Sequence, residues 1–140
     1  MASVFTMIIK GEIPGHFVWK DDRAVAFLSI NPLNEGHTLV VPRAEIDHWI
    51  DLDDDLASHL MGVARAIGTA QQDVFQPRRI GLMIAGFEVP HTHLHVVPIN
   101  GLHDMDFGNA ADSVDPEELK RAAERLRAAL RALGYSEVSD

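Results

Sequence analysis

The stretch EVPHTHLHVVP, residues 88–98, carries histidines at every second position: His91, His93 and His95. Successive side chains of a β-strand point to opposite faces, so a strand here would place all three imidazoles on one face, with their Cα atoms roughly 6.5–7 Å apart. The residues between them would point the other way, into the core. The stretch therefore predicts a strand with a row of imidazoles on one face and a packing surface on the other.

The segments around this stretch predict an α+β fold. Apolar residues recur there at helical spacing or in short runs bounded by turn-forming residues, which separates helices from strands. Short turns between consecutive strands favour antiparallel pairing. The expected architecture is a mainly antiparallel five-stranded sheet with a main helix and a C-terminal helix. Helices are expected over residues 3–11, 53–75 and 115–134, and strands over residues 16–20, 24–30, 37–42, 79–86 and 89–98.

The length and charge of the chain limit its function. Its 140 residues are enough for one domain over residues 1–140, with a core at 4–100 and a C-terminal loop and helix at 101–140. A formal net charge of −9 disfavours binding to nucleic acid or to anionic membranes, whereas a local site could still bind a small anion. No apolar run approaches the roughly 18–20 residues of a membrane span, and we read no signal peptide, so a cytoplasmic protein is expected.

The histidine row is compatible with two chemistries. Neutral imidazole is the commonest metal ligand, and alternating histidines can converge on one ion if another group completes the site. The chain has no cysteine, which excludes thiolate ligands. Alternatively, one imidazole can attack phosphorus while its neighbours bind the charged oxygens. The residues alone leave both chemistries open.

The motif HTHLHVV, residues 91–97, resembles the signature of the histidine triad family, in which three histidines alternate with apolar residues. Thr92 is its one weak apolar position. The resemblance extends upstream over residues 5–43, FTMIIKGEIPGHFVWKDDRAVAFLSINPLNEGHTLVVPR, which are similar to the Hint branch. It implies a HIT-like fold that pairs as a homodimer by extending its sheet. It also implies nucleotide hydrolysis or transfer at the α-phosphorus, with no cofactor and no obligatory metal.

The resemblance assigns roles to four histidines. The middle triad position, here His93, is the family nucleophile and would form a covalent nucleotidyl-imidazole intermediate that water cleaves. His95 and His37 match positions that surround the phosphate, where they would act as donors to its oxygens. His91 matches the first triad position and is expected to be buried and orienting. The implied substrate is a purine nucleoside phosphate conjugate, such as a phosphoramidate or a nucleoside polyphosphate.

The resemblance also implies a nucleoside pocket. An apolar slot with few polar contacts would bind a purine by stacking and burial, and the alternative for each apolar position is an ordinary core residue. The positions assigned to the pocket are Phe5, Ile8, Ile13, Phe27, Ser29, Ile30, Leu39 and Val89.

The sequence departs from the family pattern at several positions. Ser29 stands where a ribose-binding Asp is usual, and a neutral hydroxyl makes weaker hydrogen bonds than a carboxylate. Phe87 replaces a Gln, Ile80 stands near the place of a phosphate-contacting Asn, and Glu45 stands where many members have a His. These changes indicate a divergent branch, whose substrate need not be an ordinary adenosine phosphoramidate.

Glu88 replaces a hydroxyl residue that assists at the phosphate and the leaving group. An ionised carboxylate there repels phosphate, whereas a protonated one could donate to a leaving amine or alkoxide. The hypothesis is that Glu88 is a general acid; the alternative is a solvent-facing residue. For the whole chain, two further hypotheses stay open: a nucleotide-binding protein with little turnover, and a metalloenzyme that uses the three triad histidines.

Overall fold

Five β-strands and three α-helices form within residues 2–139, the part of the chain that this computed structural model describes. The helices are α1 (Val4–Ile9), α2 (Asp54–Phe75) and α3 (Pro116–Ala132). The strands are β1 (Phe17–Lys20), β2 (Ala24–Leu28), β3 (Thr38–Pro42), β4 (Arg79–Met83) and β5 (Leu94–Ile99). The predicted α+β class and the order of the elements are confirmed. Within these residues, no helix combines the length and the apolarity needed to cross a bilayer.

The strands form one antiparallel sheet in the order β1-β2-β3-β5-β4. Its register pairs Phe27 with Leu39, Leu39 with His95, and His95 with Met83. Residues paired in this way lie on the same face of a sheet. The side chain of His95 therefore lies on the same face of the sheet as the apolar side chains of Leu39 on β3 and Phe27 on β2.

Both faces of the sheet are covered, which explains why β2 and β3 are buried at every position. One face packs against α2 and α3 in a large cluster that includes Val40, Ile67 and Leu126. The opposite face packs against α1, whose Phe5 joins the side chains of alternate strand residues such as Phe27. The second, smaller cluster borders the triad.

The strand predicted over residues 89–98 begins later, at Leu94, so the prediction is wrong for its first half. His95 lies on β5, and the other two triad histidines lie in the segment before it. Local hydrogen bonds replace the ladder in that segment. The backbone N–H and the hydroxyl of Thr92 both donate to the carbonyl of Ile46, beyond the end of β3, at 2.7 Å.

The segment between β5 and α3 is more ordered than the loop that the sequence predicted. It contains two 3-10 turns, Leu102–Met105 and Phe107–Asn109. Met105 and Phe107 pack against the buried Val97 of β5. This packing brings a loop aromatic residue next to the triad.

The two edge strands of the sheet differ in their cover. The C-terminal segment runs along β1, where the N–H of Lys20 donates to the carbonyl of Glu137 at 2.8 Å. The ring of Tyr135 packs edge-on against Trp19 of the same strand, with ring centroids 5.2 Å apart. At the opposite edge, Leu82 of β4 is 43% exposed.

Candidate active site

A cleft of about 520 Å³ opens between α1, the ends of β2 and β3, and the 3-10 turn at Phe107. All eight positions assigned to the nucleoside pocket line this cleft, together with His37 and Glu88. Seven further residues that line the cleft were not among the predicted positions. Most are small or apolar residues without a distinctive pattern: Val4, Pro14, Gly15, Leu28, Asn31, Phe107 and Ala110.

His93 is buried, with 2% of its surface exposed, and its environment fixes its neutral tautomer. Its Nδ1 lies 2.7 Å from the backbone carbonyl oxygen of His91. A carbonyl oxygen only accepts, so Nδ1 carries a proton, and the lone pair of the neutral ring lies on Nε2. The ring of Phe5 packs edge-on against this imidazole, with centroids 4.9 Å apart. His93 therefore presents an unprotonated nitrogen beside the cleft.

His37 and His95 form a hydrogen-bonded relay that starts at the backbone. The N–H of Leu33 donates to Nδ1 of His37 at 3.0 Å, so the proton of the neutral ring lies on Nε2. That nitrogen lies 3.0 Å from Nδ1 of His95, which must then accept. The proton of His95 therefore lies on its own Nε2.

Nε2 of His95 is buried and has no hydrogen-bond partner among residues 2–139. An unpaired buried donor is costly, and an active-site donor that awaits a ligand is one physical reason for its presence. The ring lies beside those of His93 and Phe107, each with its centroid 4.9 Å away. The relay thus aims one neutral N–H at the space next to the unprotonated nitrogen of His93.

Burial keeps these imidazoles uncharged. Burial, together with the neighbouring imidazoles of His95 and His93, lowers the pKa of His37 to about 3. Burial and the neighbouring imidazole of His93, opposed by the carboxylate of Glu88, bring the pKa of His95 down to about 4. At neutral pH the site therefore offers the uncharged rings of His37 and His95.

His91 is fully buried, and both of its ring nitrogens have partners. Nε2 lies 2.7 Å from the carbonyl oxygen of Pro42, and Nδ1 lies 2.7 Å from the hydroxyl of Ser3. Burial lowers the pKa of this imidazole. Since neither nitrogen is free, the ring cannot bind a ligand without losing a hydrogen bond.

Glu88 lines the cleft with its side chain half exposed, and its Oε2 lies 3.4 Å from Nε2 of His93. Within residues 2–139, Glu88, His93 and His95 form the single cluster whose ligand atoms, all within 4.8 Å of one another, could hold a metal ion. The hypothesis of a metal held by the three triad histidines is therefore wrong in its ligand set, because both nitrogens of His91 are engaged elsewhere.

Ser29 lines the cleft, where its hydroxyl accepts the N–H of Asn31 at 3.2 Å. The side-chain amide of Asn31 donates to the carbonyl oxygens of Ala111 and Asp112. These bonds tie the loop after β2 to the segment before α3. The hydroxyl of Ser29 is thus held at the cleft wall with its own proton available for donation.

Residues 10–102 match the HIT domain family. Protein hit of Bacillus subtilis is 34% identical over 134 residues, which cover 88% of this chain and 90% of that protein. An adenosine 5'-monophosphoramidase of Schizosaccharomyces pombe is 29% identical over 136 residues, covering 94% of this chain and 100% of that protein. A crystal structure of a Zn-bound histidine triad family protein from Mycobacterium smegmatis aligns with a TM-score of 0.80 at 27% identity, covering 95% of this chain and 96% of that one.

The lowered pKa values predict that the protein loses stability as the pH falls below the ordinary pKa of histidine. Unfolded imidazoles bind protons below about pH 6.5, whereas folded His37 and His95 stay neutral to about pH 4. Unfolding therefore takes up protons between about pH 6.5 and about pH 5. For each proton taken up, the free energy of unfolding falls by up to about 1.4 kcal/mol for every unit by which the pH is lowered. Urea unfolding at several pH values measures this slope.

His37→Asn and His95→Asn each remove one of these protons, so each variant should show a shallower slope than the wild type. The slopes of the wild type and the variants are compared over the same pH range, which lies above the ordinary pKa values of carboxyl groups, so that histidines dominate the proton uptake. An equal slope in the wild type and both variants would contradict the buried neutral state of the two rings.

Proposed function

The chain belongs to the HIT family, and we propose that it is a nucleotide hydrolase or transferase that acts at the α-phosphorus of purine nucleoside phosphate conjugates. The observation that carries the proposal is the hydrogen bond from Nδ1 of His93 to the carbonyl of His91, which places the lone pair of the neutral ring on Nε2, beside an apolar cleft. The similarity to an adenosine 5'-monophosphoramidase supports a phosphoramidate as substrate.

The proposed reaction has two displacements at phosphorus. First, Nε2 of His93 attacks the α-phosphorus; the new P–N bond forms as the bond to the leaving amine or alkoxide breaks, and the leaving group takes up a proton. A water molecule then attacks the same phosphorus; its proton returns to the acid that protonated the leaving group, the P–N bond breaks, and the nucleoside monophosphate and the imidazole are released. During both steps the carbonyl of His91 stabilises the positive charge that develops on the ring through the Nδ1 proton.

Two histidines act around this nucleophile. Nε2 of His95 is proposed to donate to a non-bridging phosphate oxygen, since it is a buried proton-bearing nitrogen without another partner. Both nitrogens of His37 are engaged with Leu33 and His95, so we propose that His37 orients His95 rather than contacting phosphate itself. This differs from the direct donor role that the family resemblance implied.

The cleft supports binding of a nucleoside. Phe5 and Phe27 provide edge-on aromatic walls with centroids 5.6 Å apart, and the aliphatic residues around them exclude water from a base. The hydroxyl of Ser29 is the candidate donor to the ribose. Because this contact is neutral, we expect weaker ribose recognition than a carboxylate would give.

Glu88 is the proposed general acid for the leaving group. Its half-exposed carboxylate lies 3.4 Å from the attacking nitrogen and can reach the group that departs from phosphorus. The same carboxylate favours the second candidate function, a nucleotide-binding protein with little turnover, because an ionised group at this position repels the substrate phosphate.

A metal-dependent alternative is favoured by the cluster of Glu88, His93 and His95 and by the Zn-bound relative. The relay from Leu33 opposes it. A metal bound at Nε2 of His95 needs a lone pair on that nitrogen, so the proton of His95 would have to move to Nδ1. Nε2 of His37 would then have to accept that proton's hydrogen bond, and the proton of His37 would have to move to Nδ1. Two donors, Nδ1–H of His37 and the N–H of Leu33, would then face each other. We therefore propose a metal-independent reaction.

We include homodimerisation in the proposal. The C-terminal segment covers the β1 edge of the sheet, whereas β4 forms the other edge. Beside β4, apolar and small residues of α2 form a shallow depression with Leu82 and Ile80. Pairing of two β4 strands would extend the sheet and bury this apolar surface.

The wild-type protein should release AMP from adenosine phosphoramidate with a chelator present, and His93→Ala should lower kcat by at least about 10³-fold because the nucleophile is absent. AMP release measured by chromatography tests this, with His103→Ala as a control at an exposed histidine outside the cleft. Binding of AMP without turnover in the wild type would favour the binding protein, and loss of activity with chelator would favour the metal.

Glu88→Gln should slow the release of a poor leaving group, such as an amine, by about 10²-fold, because the acid is lost. It should not slow an AMP aryl ester, whose phenolate leaves without protonation. The kcat values for both substrates, measured across pH, provide the comparison. An equal effect on the two substrates would contradict the acid role of Glu88.

A further inference from the structure

A cluster of polar side chains outside the cleft joins the first turn of α1 to the triad. Glu45, in the segment after β3, accepts the backbone N–H of Ser3 at 2.6 Å and the hydroxyl of Thr6 at 2.7 Å on the same oxygen. The hydroxyl of Ser3 lies 2.7 Å from Nδ1 of His91. Three segments distant in the sequence thus meet at one buried imidazole.

We propose that Ser3, Thr6 and Glu45 form a positioning cluster for the nucleophile, acting through His91 on His93. The inference rests on the proposed function of His93. It assigns a positioning role to three residues that do not line the nucleoside cleft.

The two short hydrogen bonds at the ring of His91, each 2.7 Å long, fit one arrangement of protons. Nε2 of His91 donates to the carbonyl of Pro42, so Nδ1 must accept, and the hydroxyl of Ser3 must donate to it. The oxygen of Ser3 in turn accepts the N–H of Thr6 at 3.1 Å, which caps α1. His91 is thereby held at both ring nitrogens.

Glu45 holds the other side of the cluster as a carboxylate. Its hydrogen bonds to the N–H of Ser3 and the hydroxyl of Thr6 lower its pKa to about 2. It therefore accepts both bonds throughout the neutral pH range. Glu45 is an exposed residue, whereas Ser3 and His91 are buried, so the carboxylate closes the cluster at the protein surface.

The cluster reaches the nucleophile by two routes. The ring of His91 fixes the backbone of the same residue, whose carbonyl receives the Nδ1 proton of His93 at 2.7 Å. The first turn of α1 also carries Phe5, which packs against the rings of His91 and His93 with centroids 5.9 and 4.9 Å away. Loss of the cluster would therefore let both the proton acceptor and the packing partner of His93 move.

Three substitutions that remove a side chain of the cluster, each paired with a conservative substitution, test the proposal. Ser3→Ala, Thr6→Val and Glu45→Ala should each lower kcat for adenosine phosphoramidate, by about 10- to 100-fold for Ser3→Ala, with a smaller change in KM. The reason is that a nucleophile displaced by a fraction of an ångström reacts slowly, whereas the cleft that binds the substrate persists. Ser3→Thr, Thr6→Ser and Glu45→Gln keep the required donors and acceptors and should recover most of kcat.

Asp53→Ala is the matched control, since Asp53 caps α2 by accepting the N–H of Leu56, as Ser3 caps α1, but contacts no triad residue. Equal losses of kcat in Ser3→Ala and Asp53→Ala would overturn the proposal. So would unchanged kcat in all three removals, or a failure of Ser3→Thr and Glu45→Gln to recover activity.

A spectroscopic measurement separates this proposal from the proposed function. Long-range 1H–15N correlation of the histidine rings reports which nitrogen of His93 carries the proton, with or without turnover. If the wild type releases no AMP, the proposed function fails, and the cluster is still tested. An altered Nδ1 signal of His93 in Ser3→Ala, absent from Asp53→Ala, supports the cluster; an unaltered signal overturns it.

Discussion

The hydrogen bond between Nδ1 of His93 and the carbonyl oxygen of His91, 2.7 Å long and buried, is the interaction on which the chemistry of this molecule depends. A neutral imidazole can hold its proton on either nitrogen, and only one choice leaves a nucleophile beside the cleft. The backbone carbonyl of residue 91 selects the tautomer that holds the proton on Nδ1. The arrangement in turn requires that residue 91 be fixed, and its ring is held by Pro42 and Ser3.

Backbone groups determine the proton positions of all four buried histidines. The carbonyls of Pro42 and His91 fix two rings, and the N–H of Leu33 fixes the other two through the relay. Burial keeps the rings of His37 and His95 neutral, and neutral donors bind phosphate oxygens without a net positive charge. A chain with a formal net charge of −9 can therefore bind an anionic group locally, provided its donors are aimed in advance.

The sequence predicted those parts of the site that depend on side-chain pattern. The family resemblance supplied the pocket positions, both on the strands, such as Phe27 and Leu39, and outside them, such as Phe5 and Val89, and all of these line the cleft. The early part of the predicted triad strand was wrong because Thr92 bonds to Ile46 instead of to a neighbouring strand. No pattern distinguishes that tertiary contact from a ladder bond.

The backbone donors and acceptors had no sequence signal at all, since every residue except proline carries the same N–H and C=O. The contact of Phe107 with His95 was also missed, because a segment rich in Gly, Asp and Asn indicates a loop but not where the loop packs. Ser3 did carry a signal: a serine before a helical run is a typical N-cap. Its second role, as a donor to a histidine 88 residues away, appears only in the fold.

Long-range 1H–15N correlation of the histidine rings in the wild-type protein near neutral pH tests the central claim most directly. The structure predicts a proton on Nδ1 and an unprotonated Nε2 for His93, and the opposite tautomer for His37, His91 and His95. Single histidine substitutions assign the signals. A proton on Nε2 of His93, or on both of its nitrogens, would contradict a nucleophile prepared by the carbonyl of His91.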